Sequence, residues 1–242
     1  MSSALGAQTR AEITMTLRRG ESVLLVLGIP VLLLVFFSLV DVLPTGTKNS
    51  VDFLAPGVLA LAVMSTAMVG LAIATAFERQ YFVLKRIGTT PLGRTRLLIA
   101  KIGGVLVVEL VQMVVVVVVG VVLGWRPRWL GMPAAIAAVV LATSAFVGLG
   151  MLMAGRMSAE AVLGAANGLY LVLLLVSGMM IPLAKLPAPV RAVARLLPST
   201  AVAELLHGSL ARGVNVGLQP WLVLTAWALA TPLLAARLFR WE

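Results

Sequence analysis

The chain has no cysteine and one histidine, and its nine Asp and Glu are outnumbered by nineteen Lys and Arg. Without cysteine there are no disulfides, no thiol chemistry and no cysteine metal site. One histidine, His207, with so few carboxylates, gives no metal-binding cluster. Ser199 and Ser209 stand outside any G-x-S-x-G setting, so no hydrolase triad is readable either. Glycine is never followed by lysine, and the phosphate-cradling G-x-x-x-x-G-K-[ST] loop is missing. If ATP drives anything here, another polypeptide hydrolyses it. Aromatics make up only 6% of the chain and do not alternate with its basic residues, so base stacking is excluded despite a net charge of +10.

What the chain has in abundance is apolar surface. Hydrophobic residues make up 61% of the 242, and they come in blocks of about twenty. At 1.5 Å rise per residue such a block matches a hydrocarbon core of about 30 Å. Six spans are expected, at about 23–40, 54–77, 102–124, 130–154, 161–181 and 220–239. The fold class is an all-α membrane protein with one transmembrane domain over residues 1–242. The Val114–Val119 run is tolerated in a helix, because lipid offers the backbone no other partner. No cleavable signal peptide is expected, since no small-residue cleavage site follows the first block. LPTG at 43–46 reads as a turn.

Three connecting regions carry further information. Residues 1–22 can form an amphipathic interface helix, with Ile13 and Leu17 on one face and Arg18 and Arg19 on the other; a plain polar tail is the alternative. Residues 78–101 hold six Lys and Arg. There Glu78–Ile87 can form a short helix, Gly88 can end it, and Thr89-Thr90-Pro91 can turn the chain back. Residues 178–219 are too apolar for a solvated loop and are broken by Pro182, Pro187, Pro189 and Pro198. Helical spacing over 190–197 and 201–210 suggests a re-entrant outer hairpin; a surface loop with two amphipathic helices is the alternative. With the N-terminus inside, the inner segments hold twelve basic residues and the outer ones seven. The bias toward positive inner loops therefore favours a multi-pass protein with both termini cytoplasmic. Fifteen Arg against four Lys, with abundant Ala, Gly and Val, fits a high-GC bacterial genome and hence a bacterial plasma membrane.

Within the spans, polar residues are few. Glu109 lies about 10 Å into the third span at the helical rise, with Gln112 one turn on. It is either a path-lining or dimer-contact residue that could meet a cationic substrate, or a locally paired structural carboxyl. Asn167 in the fifth span is either interhelical glue or part of the same path. Gly120-x-x-x-Gly124 and Gly164-x-x-x-Gly168 permit close helix contact.

Two blocks carry a resemblance. ERQYFVLKRIGTTPLGRTRLLIAKIGG looks like the first cytoplasmic loop of type-2 ABC transporter permeases, and SGMMIPLAKLPAPVRAVARLLPSTAVAELL is similar to the stretch after that family's fifth span. Their flavour is that of the daunorubicin-resistance-like branch of exporters. The resemblance implies a permease subunit of an ATP-driven exporter, paired with a second permease (identical or homologous) and with a cytoplasmic ABC ATPase. ATP and Mg would sit on that ATPase and no cofactor on this chain. The substrate would be a hydrophobic or amphipathic compound such as a drug, lipid or polyketide. ATPase coupling falls on Glu78, Arg79, Tyr81, Phe82, Lys85 and Arg86, with Pro91 and Arg94 supporting the turn. The outer gate falls on Pro182, Pro187, Pro198 and Ser199. A non-transporting membrane scaffold and a stand-alone secondary carrier are the rival readings.

Overall fold

The computed structural model describes residues 20–40, 49–82, 93–211 and 217–239. Among these the chain forms eight helices and no strand. They are α1 (Gly20–Leu39), α2 (Ser50–Gln80), α3 (Gly93–Val122), α4 (Met132–Ala154), α5 (Ala159–Val176), α6 (Ala188–Ala194), α7 (Pro198–Leu210) and α8 (Leu218–Leu238). Five of them, α2 to α5 and α8, are long and apolar enough to cross a membrane. In α1 the apolar stretch Leu27–Leu39 is shorter. The interface-helix residues Ile13, Leu17, Arg18 and Arg19 lie outside the described residues, as do Lys85, Arg86 and Pro91.

Outward-facing positions say what solvent the bundle is built for. Leu110, Val114, Val118 and Val121 on α3, and Leu163, Leu171 and Leu175 on α5, are all exposed. Continuous apolar faces of this kind suit lipid and would drive a water-soluble protein to associate. The buried sides of α2 and α4 are rich in small residues. From Leu54 to Met64, α2 is buried without interruption, with Ala55, Gly57, Ala60 and Ala62 among its residues. Small side chains let helix backbones approach closely, which replaces the hydrophobic driving force that lipid cannot supply.

The contacts fix helix direction. Thr231 Oγ1 donates to Ala145 O (2.8 Å) and Ser144 Oγ to Ala228 O (2.9 Å), while Gly155 meets Phe239. Residue numbers rise together along α4 and α8, so the two run parallel. A side chain at Gly148 would strike Thr231 and Pro232, so glycine is required where these helices touch. In α2 and α3 the order reverses: Glu78 meets Lys101, Thr66 meets Gln112 and Ala55 approaches Gly120. The bundle thus has an elbow end, where α2 stops and α3 starts, and a hairpin end. At the hairpin end Arg128 N donates to Leu210 O (2.8 Å), and the His207 ring lies 4.5 Å from Phe53.

The segment between α5 and α8 holds two short helices, as its spacing suggested, with starts a few residues earlier than expected. Proline stands in the first turn of both, Pro189 in α6 and Pro198 in α7, at positions where its missing N–H costs nothing. α7 is buried along nearly its whole length against α4, α2 and α8. Its C-terminal half lies so close to the start of α4 that any side chain on Gly131 would collide with the Ser209 carbonyl. Before α7, the Leu196 carbonyl accepts from Trp227 Nε1 (2.8 Å). Trp227 is nine residues into α8, roughly 14 Å along its axis at the helical rise.

The elbow departs from its sequence reading. Glu78, Arg79 and Gln80 are the last turn of α2, and a turn at Tyr81 and Phe82 follows. Phe82 has φ +58°, a left-handed conformation usually given to glycine at helix ends. A single helix over 78–87 is therefore interrupted at Phe82. The reason is that the span helix continues through the polar residues, which find partners at the bundle's end. Arg94 belongs to the first turn of α3.

Direction and orientation are testable in this cysteine-free background. Leu130→Cys, at an 89% exposed position on the hairpin end, is expected to react with an impermeant maleimide from outside intact cells. Arg156→Cys, exposed at the elbow end, is expected to react only after the membrane is opened. The opposite pattern would invert the protein.

Candidate functional site

Three places combine polar chemistry with an arrangement that the bundle alone does not need. The first is the elbow end. Lys101 is 1% exposed and its Nζ forms an ion pair with Glu78 Oε2 at 2.8 Å. Arg79 Nη2 donates to the Met157 carbonyl in the α4–α5 turn. Gln80 Nε2 donates to Glu160 Oε1 (3.2 Å) in the first turn of α5. Successive residues of a helix point about 100° apart. Three consecutive side chains therefore grasp α3, the α4–α5 turn and α5. Just beyond them Tyr81 and Phe82 are 70% and 64% exposed, with Tyr81 stacked on Phe77 at 6.2 Å. Glu78 and Arg79, which the sequence assigned to a partner surface, are thus engaged inside the chain, while Tyr81 and Phe82 are turned outward.

The second place lies in mid-span. Glu109 (1% exposed) and Gln112 (2%) are i and i+3 on α3, facing α4 and α2. Thr143 Oγ1 meets both Glu109 Oε2 and the Val139 carbonyl, the latter at 2.8 Å. Thr66 Oγ1 donates to Gln112 Oε1 (2.9 Å). Thr66 belongs to a π-helical turn, Ser65–Gly70, that interrupts α2. Such turns displace a helix face locally and here bring a hydroxyl to the α3 amide. Glu109 Oε1 is buried without a hydrogen-bond partner. The sequence placed Glu109 and Gln112 one turn apart; the structure gives each a partner on another helix. Thr66 and Thr143 were missed, because a threonine inside an apolar span carries no signal until its neighbour across the interface is known.

The third place is the outward face of α5. Asn167 is exposed, and its Nδ2 donates to Leu163 O (2.8 Å) within the same helix. Gly164 and Gly168 have open space where a side chain would be. The other glycine pair is different in kind. Gly120 is pressed against Trp125 and Ala55, and Gly124 (φ +95°) turns the chain after α3. Of the gate residues, Pro187 precedes α6, Pro198 opens α7 and Pro182 precedes a short 3-10 turn, Leu183–Lys185. Ser199 is fully buried with an unpartnered Oγ, so it faces protein rather than the exterior.

No group of three or more His, Cys, Asp or Glu suited to a metal occurs among the described residues. The chemistry of these sites is binding and mechanical linkage between helices. A multi-pass membrane protein with its polar anchorage concentrated at one end of a helical bundle is the class they define. A sequence model of the ABC-2 family transporter protein matches residues 41–237, most of the chain, and the protein belongs to that family. It is a membrane permease subunit of an ABC transporter, whose ATPase is a separate chain. No curated protein matches the chain.

The mid-span cluster yields a stability prediction. Thr143→Val removes the partner of a buried carboxyl and is expected to cost about 1–3 kcal/mol, read as a lower thermal midpoint in detergent. Combining it with Glu109→Leu removes the stranded group and is expected to recover most of that loss. A double variant as unstable as the sum of the two singles would show that the pair does not interact.

Proposed function

We propose that this permease works in an ATP-driven exporter of the bacterial plasma membrane and moves a hydrophobic or amphipathic compound outward. Both termini and the elbow end are cytoplasmic, and α1 is a sixth span. The observation that carries the reading is the aromatic pair Tyr81 and Phe82, exposed beyond the last helical turn of α2 at the site where the ABC-2 resemblance expects the motor. A bulky residue held at positive φ carries conformational strain, and such strain collects at functional surfaces. The ATPase, with its ATP and Mg, docks on the elbow through Tyr81, Phe82, Lys85 and Arg86, and Pro91 and Arg94 shape the return. Glu78 and Arg79 carry the load into the bundle.

The segment over α6 and α7 acts as a re-entrant gate at the outer mouth. Trp227 holds Leu196 well inside the length of α8, which supports a hairpin that dips and returns. The drug-exporting, daunorubicin-resistance-like branch is the relation suggested by the two sequence blocks. A second permease, identical or homologous, meets the α5 face at Asn167, Gly164 and Gly168. There a polar amide and two open glycine positions favour a protein neighbour over lipid. Glu109 and Gln112 face the interior of one subunit, so their first role is to hold α3 to α2 and α4. They meet substrate only if those helices part.

Three outcomes separate this reading from a scaffold or a carrier acting alone. Mild solubilisation and pull-down is expected to bring down a stoichiometric ABC ATPase. Replacing Tyr81, Phe82, Lys85 and Arg86 with Gly or Ser is expected to abolish that capture while membrane insertion persists. Transport in vesicles without any ATPase would favour the carrier instead. For the second permease, Asn167→Cys is expected to crosslink between copies in native membranes, whereas Leu229→Cys on the exposed face of α8 is not. A heterologous partner would appear as a crosslinked band of a different mass.

A further inference from the structure

The elbow end holds a connection that docking of a motor does not by itself require. The α4–α5 turn, residues 155–158, is far from the elbow in sequence, yet the last turn of α2 grips both it and the start of α5. Arg79 Nη2 bonds the Met157 carbonyl, and Gln80 Nε2 bonds Glu160 Oε1 at 3.2 Å. Behind them, Lys101 and Glu78 bind α3 to α2 through an ion pair in which Lys101 is almost wholly buried. The turn is backed on its other side by the end of α8, where Gly155 lies against the Phe239 ring. Ser158 then caps α5 by accepting from Ala161 N (3.3 Å). The elbow thus reaches the turn through Arg79 and the start of α5 through Gln80, the latter a bond between two exposed side chains.

We propose that the α4–α5 turn is a second arm of the motor linkage. Displacement of the elbow passes through Arg79 and Gln80 into α5 and from there to the outer hairpin, with Lys101 as the positioning residue that keeps the two elbow legs together. This rests on the ATPase-coupling reading above. The physical case is one of stiffness. A lone helix end pushed by a partner can tilt in lipid, because lipid resists little. A helix end bonded to α3, to the turn and to α5 moves them as one body. α5 ends at Val176, residues 177–187 lead from it to α6 and then α7, and Thr200 Oγ1 still reaches back to the Val176 carbonyl at 3.5 Å. The motion therefore has a continuous packed route from one face of the membrane to the other.

The test uses the permease co-purified with its ATPase. Nitroxides are placed at Leu130→Cys and Leu196→Cys, and the distance between them is read in the nucleotide-free and vanadate-trapped states. In the parent the distance is expected to shift on trapping. Lys101→Glu is expected to lose the shift with the ATPase still bound, and the exchange Glu78→Lys with Lys101→Glu is expected to restore it. If Lys101→Glu fails to fold, the neutral pair Glu78→Gln with Lys101→Met is expected to fold and still lack the shift. Tying Gln80→Cys to Glu160→Cys with a short bifunctional maleimide is expected to leave the hydrolysis rate unchanged, since the two positions never separate. Hydrolysis arrested by that crosslink overturns the proposal, as does a shift that survives Lys101→Glu or the neutral pair. An exchanged pair that folds, binds the ATPase and stays silent also overturns it, by placing Glu78 against the motor instead. A parent that captures no ATPase fails the coupling reading itself, a distinguishable result.

Discussion

A polar group inside hydrocarbon has no water to turn to, and that constraint organises this molecule. The long helices satisfy their own backbones. Side chains with hydrogen-bonding capacity must either meet another helix or lie at an end. Lys101 does both: its stem is buried among the helices while its ammonium reaches Glu78 at the elbow end. Thr143, Ser144 and Thr231 do the first, each bridging to a second helix or bonding its own carbonyl one turn back. Where lipid gives no hydrophobic driving force between helices, these bonds and the close contacts at Gly57, Gly131 and Gly148 fix which faces meet.

The division of labour along the membrane normal follows. Mid-span is held by small residues, a few hydroxyls, the Gln112 amide and the buried Glu109 carboxyl. The elbow end is held by charged and amide side chains that reach long distances. The hairpin end is held by backbone: the Leu210 carbonyl bonds Arg128 N, and the His207 ring lies between the Ala203 and Phe53 carbonyls at 2.7 and 3.0 Å. Burial pulls the His207 imidazole below its ordinary pKa, while the two carbonyl oxygens pull the other way. The lone histidine of the sequence is therefore a brace between α7 and α2.

Much of this was legible in the chain itself. The apolar blocks located the five long helices, because hydrophobic length is a local property, though α3 starts at Gly93, well before its expected bound, and α5 ends at Val176, short of its own. The prolines gave the division of the 178–219 segment for the same reason. The basic elbow could be seen as a connector, but its first residues were misassigned. Glu78, Arg79 and Gln80 look like the start of a wet helix until Lys101, Met157 and Glu160 are known to stand opposite. Ser199 stands beside a proline in the expected outer gate, and that its side chain is buried could not be read, because helical phase alone does not say which side of α7 meets α4. Gly120 and Gly124 have the same spacing as Gly164 and Gly168, and the pairs do different work. Spacing records that a close approach is possible, and only the fold records what approaches.

The parallel packing of α4 and α8 bears on how the chain is assembled during synthesis. The face of α4 around Ser144 and Gly148 enters the bilayer well before α8 has left the ribosome. Until it does, the Ser144 hydroxyl lacks the Ala228 carbonyl, and the groove at Gly148 stands open to lipid. α5 must first carry the chain back to the hairpin end, where the two short helices lie, so that α8 can enter from the same side as α4. α8, made after α4, α5 and the two short helices, is thus the one that fills this groove, and a chain stopped short of it would leave the seam on α4 unfilled.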